Sequence, residues 1–260
     1  FKVKNIEWRN LRWEVTAENG DKLTAKCIII ADGSLSKWPD IFGLGPRNKN
    51  QAKTISIRAN KRGNISNGTA KFEFGLVKNG FAWVFPIRNG LNIGIGTFTG
   101  RNNNNNVEII EKILLSLGIN KNEVKIRERL LNIWNGHHRL DGKGILVIGD
   151  AASLCDPFLA EGLRPAIISG YEAANCISKW LNNESKDLQE YTQIIKRKWG
   201  NSMAWGKRIA QVFYRFPRIG YQLGIKRPTA PKRISQILSG EMGYEEIAQR
   251  SIKRLLLGRE

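Results

Sequence analysis

The chain is poor in the residues that build metal centres and disulfide frameworks. Its 260 residues hold three cysteines, Cys27, Cys155 and Cys176, and two histidines, His137 and His138, which are adjacent. No C-x-x-C spacing occurs, so neither a disulfide scaffold nor a metal site is expected. The thiols read as small buried apolar groups in a reducing, cytoplasmic setting. Long apolar runs are missing too: no stretch of about 18 consecutive apolar residues exists to cross a bilayer. The opening residues, FKVKNIEW, carry no secretory h-region and no initiating Met, and they read as the inside of a strand. A fragment is therefore expected. Acidic residues are scarce, 23 against 42 Lys and Arg, for a formal charge of +19. Such a surplus attracts polyanions, whether nucleic acid, acidic lipid or phosphorylated small molecules. No nucleic-acid motif accompanies it. Finally, no G-x-G-x-x-G loop occurs. Gly94-x-Gly96-x-x-x-Gly100 comes nearest, but asparagines follow it where a helix should, and no acidic residue stands at the right distance beyond.

What is present suits a packed core, with 41% hydrophobic residues. Residues 7–18 and 21–30 alternate apolar and polar positions around Asn19-Gly20-Asp21, a hairpin signal. The second arm ends in Cys27-Ile28-Ile29-Ile30, as a strand buried on both faces would. From 52 to 98 the text is strand-like, with Asn79-Gly80 and Asn89-Gly90 where hairpin turns belong. A polar loop at 102–106, a helix over 107–117 closed by Gly118, and a strand over 124–131 follow. Residues 144–148 form a second apolar strand. The next helix carries Leu163, Ala166, Ile167, Gly170, Ala173, Ala174 and Ile177 as a close-packing face. Beyond 187 the chain reads as helices cut by Pro217, Pro228 and Pro231, with Lys and Arg thickening among aromatics.

Two strand ends carry chemistry. At Gly149-Asp150-Ala151-Ala152 a buried strand delivers a carboxylate to its carboxyl end, where open α/β sheets bind ligands. Small neighbours allow close backbone approach. Glu161-Gly162 then starts a helix whose first amides favour an electron-rich group. Asp32-Gly33 breaks the earlier apolar strand in the same way. Phe81, Trp83 and Phe85 share one strand face and form an aromatic wall.

The longer string Gly149-Asp150-Ala151-Ala152, Asp156-Pro157, Glu161-Gly162-Leu163, Ala166, Ser169-Gly170 and Ala173-Ala174 resembles the second flavin-binding signature of aromatic hydroxylases and geranylgeranyl reductases. Ser153 and Ala160 stand where that signature has glycine. Ile29-Ile30-Ala31-Asp32-Gly33-Ser34, roughly 120 residues earlier, resembles the G-A-D-G-x-x-S motif of the same superfamily, with Ile30 in place of its first Gly. Gly80 to Pro86, followed by Asn92-Ile93-Gly94-Ile95-Gly96, resembles the Y-x-W-x-F-P … G-x-G segment of geranylgeranyl reductases, with Phe81 in place of Tyr. The segments 213–217 and 239–244 resemble their helical tail.

The resemblance implies an α/β fold: a FAD-binding Rossmann-like domain lacking its first βαβ unit, an inserted antiparallel-sheet substrate domain, and a C-terminal helical region. Residues 1–46 and 140–182 would be parts of the FAD domain, 47–139 the substrate domain and 183–260 the helical region. It implies FAD bound by Asp32, Gly33, Gly149, Asp150, Ala151, Pro157, Gly162 and Leu163, and an isoprenoid substrate along Phe81, Trp83 and Phe85. NADPH or reduced ferredoxin would supply electrons for reducing geranylgeranyl double bonds. No catalytic acid is named; Asp156 and Glu161 stand near the right loop, as acids or as structural groups. Lacking G-x-G-x-x-G, these 260 residues are expected to bind FAD poorly. The basic, aromatic tail is expected to touch acidic lipid at a membrane surface, and nucleic acid is not expected as a partner. A monooxygenase of the same fold, and a non-enzymatic basic module, are the competing readings.

Overall fold

The computed structural model describes residues 1–60, 68–98 and 106–257, and they divide into two compact units. Gly100 and Asn102 to Asn105 of the expected loop lie outside the described residues.

The first unit comprises Phe1–Lys49, Gly136–Cys155 and Glu161–Asn201. It opens with an antiparallel sheet of β1 (Val3–Arg9), β2 (Arg12–Ala17) and β3 (Lys22–Ala25). The expected strand over 7–18 is thus two strands. Asn10 and Leu11 turn between them at φ 48° and 61°, a left-handed pair that closes a two-residue hairpin. The expected arm over 21–30 also divides. Its end, β4 (Ile28–Ile30), leaves for a second sheet with β10 (Asp141–Gly142) and β11 (Ile145–Val147), in the order β10-β11-β4. β4 is not buried on both faces, as its apolar run suggested. Among the described residues it pairs only with β11, and Ile29 is 41% exposed. Cys155 and Cys176 are buried, whereas Cys27 is only partly so.

A short helix, α1 (Trp38–Ile41), follows β4, with Trp38 and Pro39 buried. The long helix α3 (Leu163–Leu181) and α4 (Gln189–Ile195) complete the unit. The buried face of α3 is Pro165, Ser169, Glu172, Ala173, Cys176 and Ile177. That face is rotated from the apolar one read in the sequence, because two polar side chains are fixed on it. Ser169 accepts the Gly149 N–H at 3.0 Å, and Glu172 accepts from Lys198 at 2.6 Å. Leu163, Ile167 and Ala174 are exposed instead.

The second unit comprises Asn50–Asn135, Asp156–Ala160 and Ser202–Glu260. Its five-stranded antiparallel sheet contains β5 (Asn50–Ala59), β6 (Lys71–Phe74), β7 (Gly80–Ile87), β8 (Gly90–Thr97) and β9 (Ile126–Ile133), in the order β6-β7-β8-β5-β9. The Asn-Gly turns fall where expected: Asn79 (φ 59°) leads into β7 and Gly90 (φ 150°) opens β8. The amphipathic helix α2 (Asn106–Ser116) ends before Gly118 at φ 67°. It packs Ile110, Ile113 and Leu114 against Ile55, Ile57, Ala82, Val84, Ile93 and Ile95, the aliphatic face of the sheet. Among the described residues four α-helices follow, α5 (Asn201–Arg215), α6 (Pro217–Gly220), α7 (Ala230–Ser239) and α8 (Tyr244–Leu257), with a π-helical segment at Tyr221–Ile225 between α6 and α7. Proline starts α6 and stands in the first turn of α7, where its missing N–H costs nothing. Among the described residues no helix is long and apolar enough to cross a membrane.

Candidate functional site

Strands β4 and β11 run parallel with Ile28 opposite Ile145 and Ile30 opposite Val147. The Ile148 N–H continues the ladder onto the Ile30 carbonyl at 3.1 Å. Asp32-Gly33 and Gly149-Asp150 each begin two residues beyond a paired position. The register therefore brings two motifs far apart in sequence to the same carboxyl edge of one sheet, where ligands of α/β sheets bind. Asp32 is exposed, and Gly33 turns the chain at φ 86°.

The β11 side of this edge is fixed from below. Ile145, Leu146 and Val147 are buried, and the Tyr191 hydroxyl donates to the Val147 carbonyl at 2.9 Å. Burial drives the Tyr191 phenol far above its ordinary value, so it stays a donor. Gly149 adopts φ 55° and lies so near α3 that a Cβ there would stand 3.2 Å from Cβ of Ala166. Residues Gly149–Ala152 then form one tight helical turn. Trp199, itself buried, donates its indole N–H to the Leu154 carbonyl at 2.8 Å and secures the exit from that turn.

Asp150 stands in this turn partly buried, and desolvation pushes its carboxyl above the usual carboxylate range. Across from it a Cβ on Gly162 would come 3.3 Å from Asp150 Oδ1. Glycine keeps that space open. Glu161 Oε1 accepts the Arg164 N–H at 2.6 Å, capping the start of α3, while its Oε2 is buried without a hydrogen-bond donor. Leu163, the first helical residue, is 74% exposed, so it offers a ligand its backbone and not a packed side chain. A hydroxyl-rich, partly electron-rich group fits this donor and acceptor set. Asp150 would accept from sugar hydroxyls, the glycine gap admits the chain that carries them, and the α3 amides favour partial negative charge.

The first unit thus brings Asp32, Gly33, Gly149, Asp150, Ala151, Gly162 and Leu163 to one sheet edge. It does not contain Pro157, Phe81, Trp83 or Phe85. Pro157 is buried in the excursion Asp156–Ala160, which belongs to the second unit. Asp156 organises that excursion: Oδ1 accepts the N–H groups of Phe158 and Leu159 at 2.7 and 2.8 Å, and Oδ2 accepts the Tyr244 hydroxyl at 2.7 Å. With three donors on its two oxygens, Asp156 is a structural acceptor.

The aromatic face of the second unit is real but unevenly open. Phe81 is buried, touching Phe74 and Phe98 at centroid distances of 5.4 and 4.8 Å, while Trp83 and Phe85 are half-buried. The glycines of β8 make room for these rings. A Cβ on Gly94 would stand 2.1 Å from the Trp83 ring, and one on Gly96 would stand 2.4 Å from Phe98. Gly94 and Gly96 are therefore strand glycines under aromatic rings, not parts of a phosphate loop. The Trp83 indole N–H donates to Asn92 at 2.9 Å, fixing the ring across β7 and β8.

Comparison with known proteins bears on the fold and the family. No protein-family model matches the chain. It is 26% identical over 187 residues to a digeranylgeranylglycerophospholipid reductase of Thermoplasma acidophilum, covering 67% of this chain and 47% of that protein. It is 24% identical over 221 residues to a menaquinone reductase of Mycobacterium tuberculosis, covering 78% and 52%. The chain thus spans about half the length of the curated relatives it matches. Among solved structures, a geranylgeranyl bacteriochlorophyll reductase-like protein of Thermoplasma acidophilum superposes with a TM-score of 0.71 at 20% identity, over 82% of this chain and 57% of that one. The resemblance to geranylgeranyl reductases holds. The halogenase PltM, solved in complex with FAD, shares the fold at a TM-score of 0.60 and 16% identity, over 82% and 48%.

Against the geranylgeranyl reductase pattern, Ser153 and Ala160 are the informative departures. They stand at φ 55° and 54°, in the left-handed region where the pattern has glycine. The backbone keeps the shape that glycine would take and carries the strain of a Cβ. Sequence reading missed Tyr191 and Trp199, which hold the turn from behind, and it quoted Ser169 within the signature without its bond to Gly149. Their only signal was a hydroxyl or indole inside otherwise apolar helical text, too common to single out.

Proposed function

We propose that the chain is part of a FAD-dependent oxidoreductase that reduces double bonds of an isoprenoid lipid. The observation that carries this reading is the parallel register of β4 and β11, which sets Asp32-Gly33 beside Gly149-Asp150 and the start of α3. The names of the relatives, a menaquinone reductase and a digeranylgeranylglycerophospholipid reductase, support a lipid substrate. Bound FAD would supply a hydride to the substrate double bond, with NADPH or reduced ferredoxin restoring it.

The protein's own part is binding and electrostatics. Asp150 holds a cofactor hydroxyl, Gly149, Ala151 and Gly162 admit the backbone to close range, and the α3 amides favour an electron-rich ring edge. Trp83 and Phe85 offer an apolar wall to the isoprenoid chain. Because the 260 residues contain no G-x-G-x-x-G loop, we propose that alone they hold FAD weakly.

The test joins a G-x-G-x-x-G nucleotide-binding segment ahead of Phe1 and titrates FAD by flavin fluorescence. Tight binding is expected, weakened on the order of tenfold by Asp150→Ala, about one lost hydrogen bond to a charged group. The same substitution relieves a buried carboxylate. Asp150 has a raised folded-state pKa, so it destabilises the fold as pH rises from the unfolded value into that window and beyond. Asp150→Asn is accordingly expected to raise the melting temperature at pH 7, and this gain should vanish at pH 3. A protein that ignores added FAD overturns the proposal. Product that gains an oxygen atom in place of two hydrogens would move the reading to a monooxygenase.

A further inference from the structure

We propose that the second unit carries a docking face for acidic lipid bilayers, built on α5 and α6 and anchored by Phe216, Ile219 and Tyr221. Residues 202–240 contain eight Lys and Arg and no Asp or Glu, in a chain that has 23 acids elsewhere. This stretch therefore has no internal counter-charge to neutralise it.

Local geometry decides which side faces out. Helix α5 ends at Arg215; the backbone of Phe216 leaves the helical region at φ −124°, ψ 67°, and Pro217 starts α6. Gly220 then lies against the Phe213 ring so closely that a Cβ would stand 2.6 Å from it. With Gly220 and Phe213 inward, the large apolar side chains between and beside them turn to solvent. Phe216, Ile219 and Tyr221 are 50%, 51% and 50% exposed. Arg215, Arg218, Lys226 and Arg227 are exposed around them. Large apolar groups left in water within a rim of cations mark an interaction face. A bilayer satisfies both components, taking the aromatic and aliphatic groups at the interfacial level while the cations meet anionic headgroups.

A cavity belongs to the same face. Arg218 and Tyr221 line a hollow of about 820 Å³ with Phe74, Leu76, Val77 and Phe213. Its size suits an extended apolar ligand, and its lining pairs hydrocarbon with guanidinium. A lipid leaving an acidic membrane would find apolar walls and a cation together. Ile219, by contrast, gives a nucleic acid neither a stacking ring nor a charge.

The test is flotation of the chain with vesicles of phosphatidylcholine, with and without about a third phosphatidylglycerol. Binding is expected only with phosphatidylglycerol and should fall as salt rises. Arg215→Gln with Arg218→Gln should weaken it on the order of tenfold or more. Phe216→Ser with Ile219→Ser should weaken it at least as much while leaving the salt dependence in place. Arg127→Gln with Arg129→Gln removes the same charge from exposed positions of β9 and should change binding little. Circular dichroism of each variant should match the parent, since all six side chains are at least half exposed or on the solvent side. Equal binding to neutral vesicles would overturn the proposal, as would equal loss in the β9 variant. Displacement from vesicles by single-stranded nucleic acid, with Phe216 and Ile219 indifferent, would make the face a nucleic-acid site instead. No flavin is needed, so the result stands apart from the cofactor reading.

Discussion

Two of the three sheets among the described residues are built for different kinds of work. The β10-β11-β4 sheet is small, and its usefulness lies at one end, in backbone turns, glycine gaps and a single carboxylate. The five-stranded sheet is large, and its usefulness lies on its faces, one packed by aliphatic side chains under α2 and the other covered by rings. In the first, on the proposed reading, a missing side chain matters because a cofactor would need the space. In the second, a missing side chain matters because a neighbouring ring already fills it. Gly162 and Gly94 show the contrast: the Cβ of one would face a carboxylate at 3.3 Å, that of the other would lie inside the Trp83 ring at 2.1 Å.

Substitutions that exchange these roles should separate the two regions. The largest effect is expected from Gly94→Ala, whose Cβ would also stand 2.8 Å from the Ile55 carbonyl, leaving no way out. A loss of about 2–3 kcal/mol by denaturant unfolding is expected. Hydrogen exchange should show β8 losing protection while β11 keeps it; equal loss in both would break the contrast. Next comes Tyr244→Phe, which removes a buried donor from Asp156 and should cost about 1.5–3 kcal/mol, read as a lower melting temperature. The smallest effects run the other way. Ser153→Gly and Ala160→Gly each relieve a left-handed residue and should stabilise by about 1 kcal/mol, less the entropy that glycine adds to the unfolded chain. If both lower the melting temperature, strain at these positions is absent.

Much of this was legible because the strongest signals are local. The Asn-Gly turns, the Gly118 helix stop and the two apolar strands each depend on a few adjacent residues, and each fell where it was read. The misreadings came where a tertiary partner decides. A turn with Asn10-Leu11 has no glycine to announce it, since the strands on either side hold both residues at positive φ. Nothing between Ala25 and Ile28 shows that the chain changes sheets. The buried face of α3 was misjudged because apolar residues were assumed to point inward, whereas Ser169 and Glu172 are held there by Gly149 and Lys198. The Asp150 turn was visible as a motif. Its setting beside Asp32 was expected only through the family resemblance, because register between strands over a hundred residues apart leaves no mark on either.

That register also has a consequence in time. β4 is synthesised long before β11, its parallel partner. At cellular elongation rates of about 5–20 residues per second, the 115 residues from Ala31 to Ile145 take roughly 6–23 s to emerge. Through that interval β4 lacks the strand it pairs with, while β5 to β9, whose strand pairings lie within the intervening segment, can close among themselves. The ribosome therefore delivers the aromatic sheet before the paired edge of β4 and β11 can form, and any delay in β11 leaves Ile28–Ile30 as an open, apolar edge for a chaperone or another chain to find.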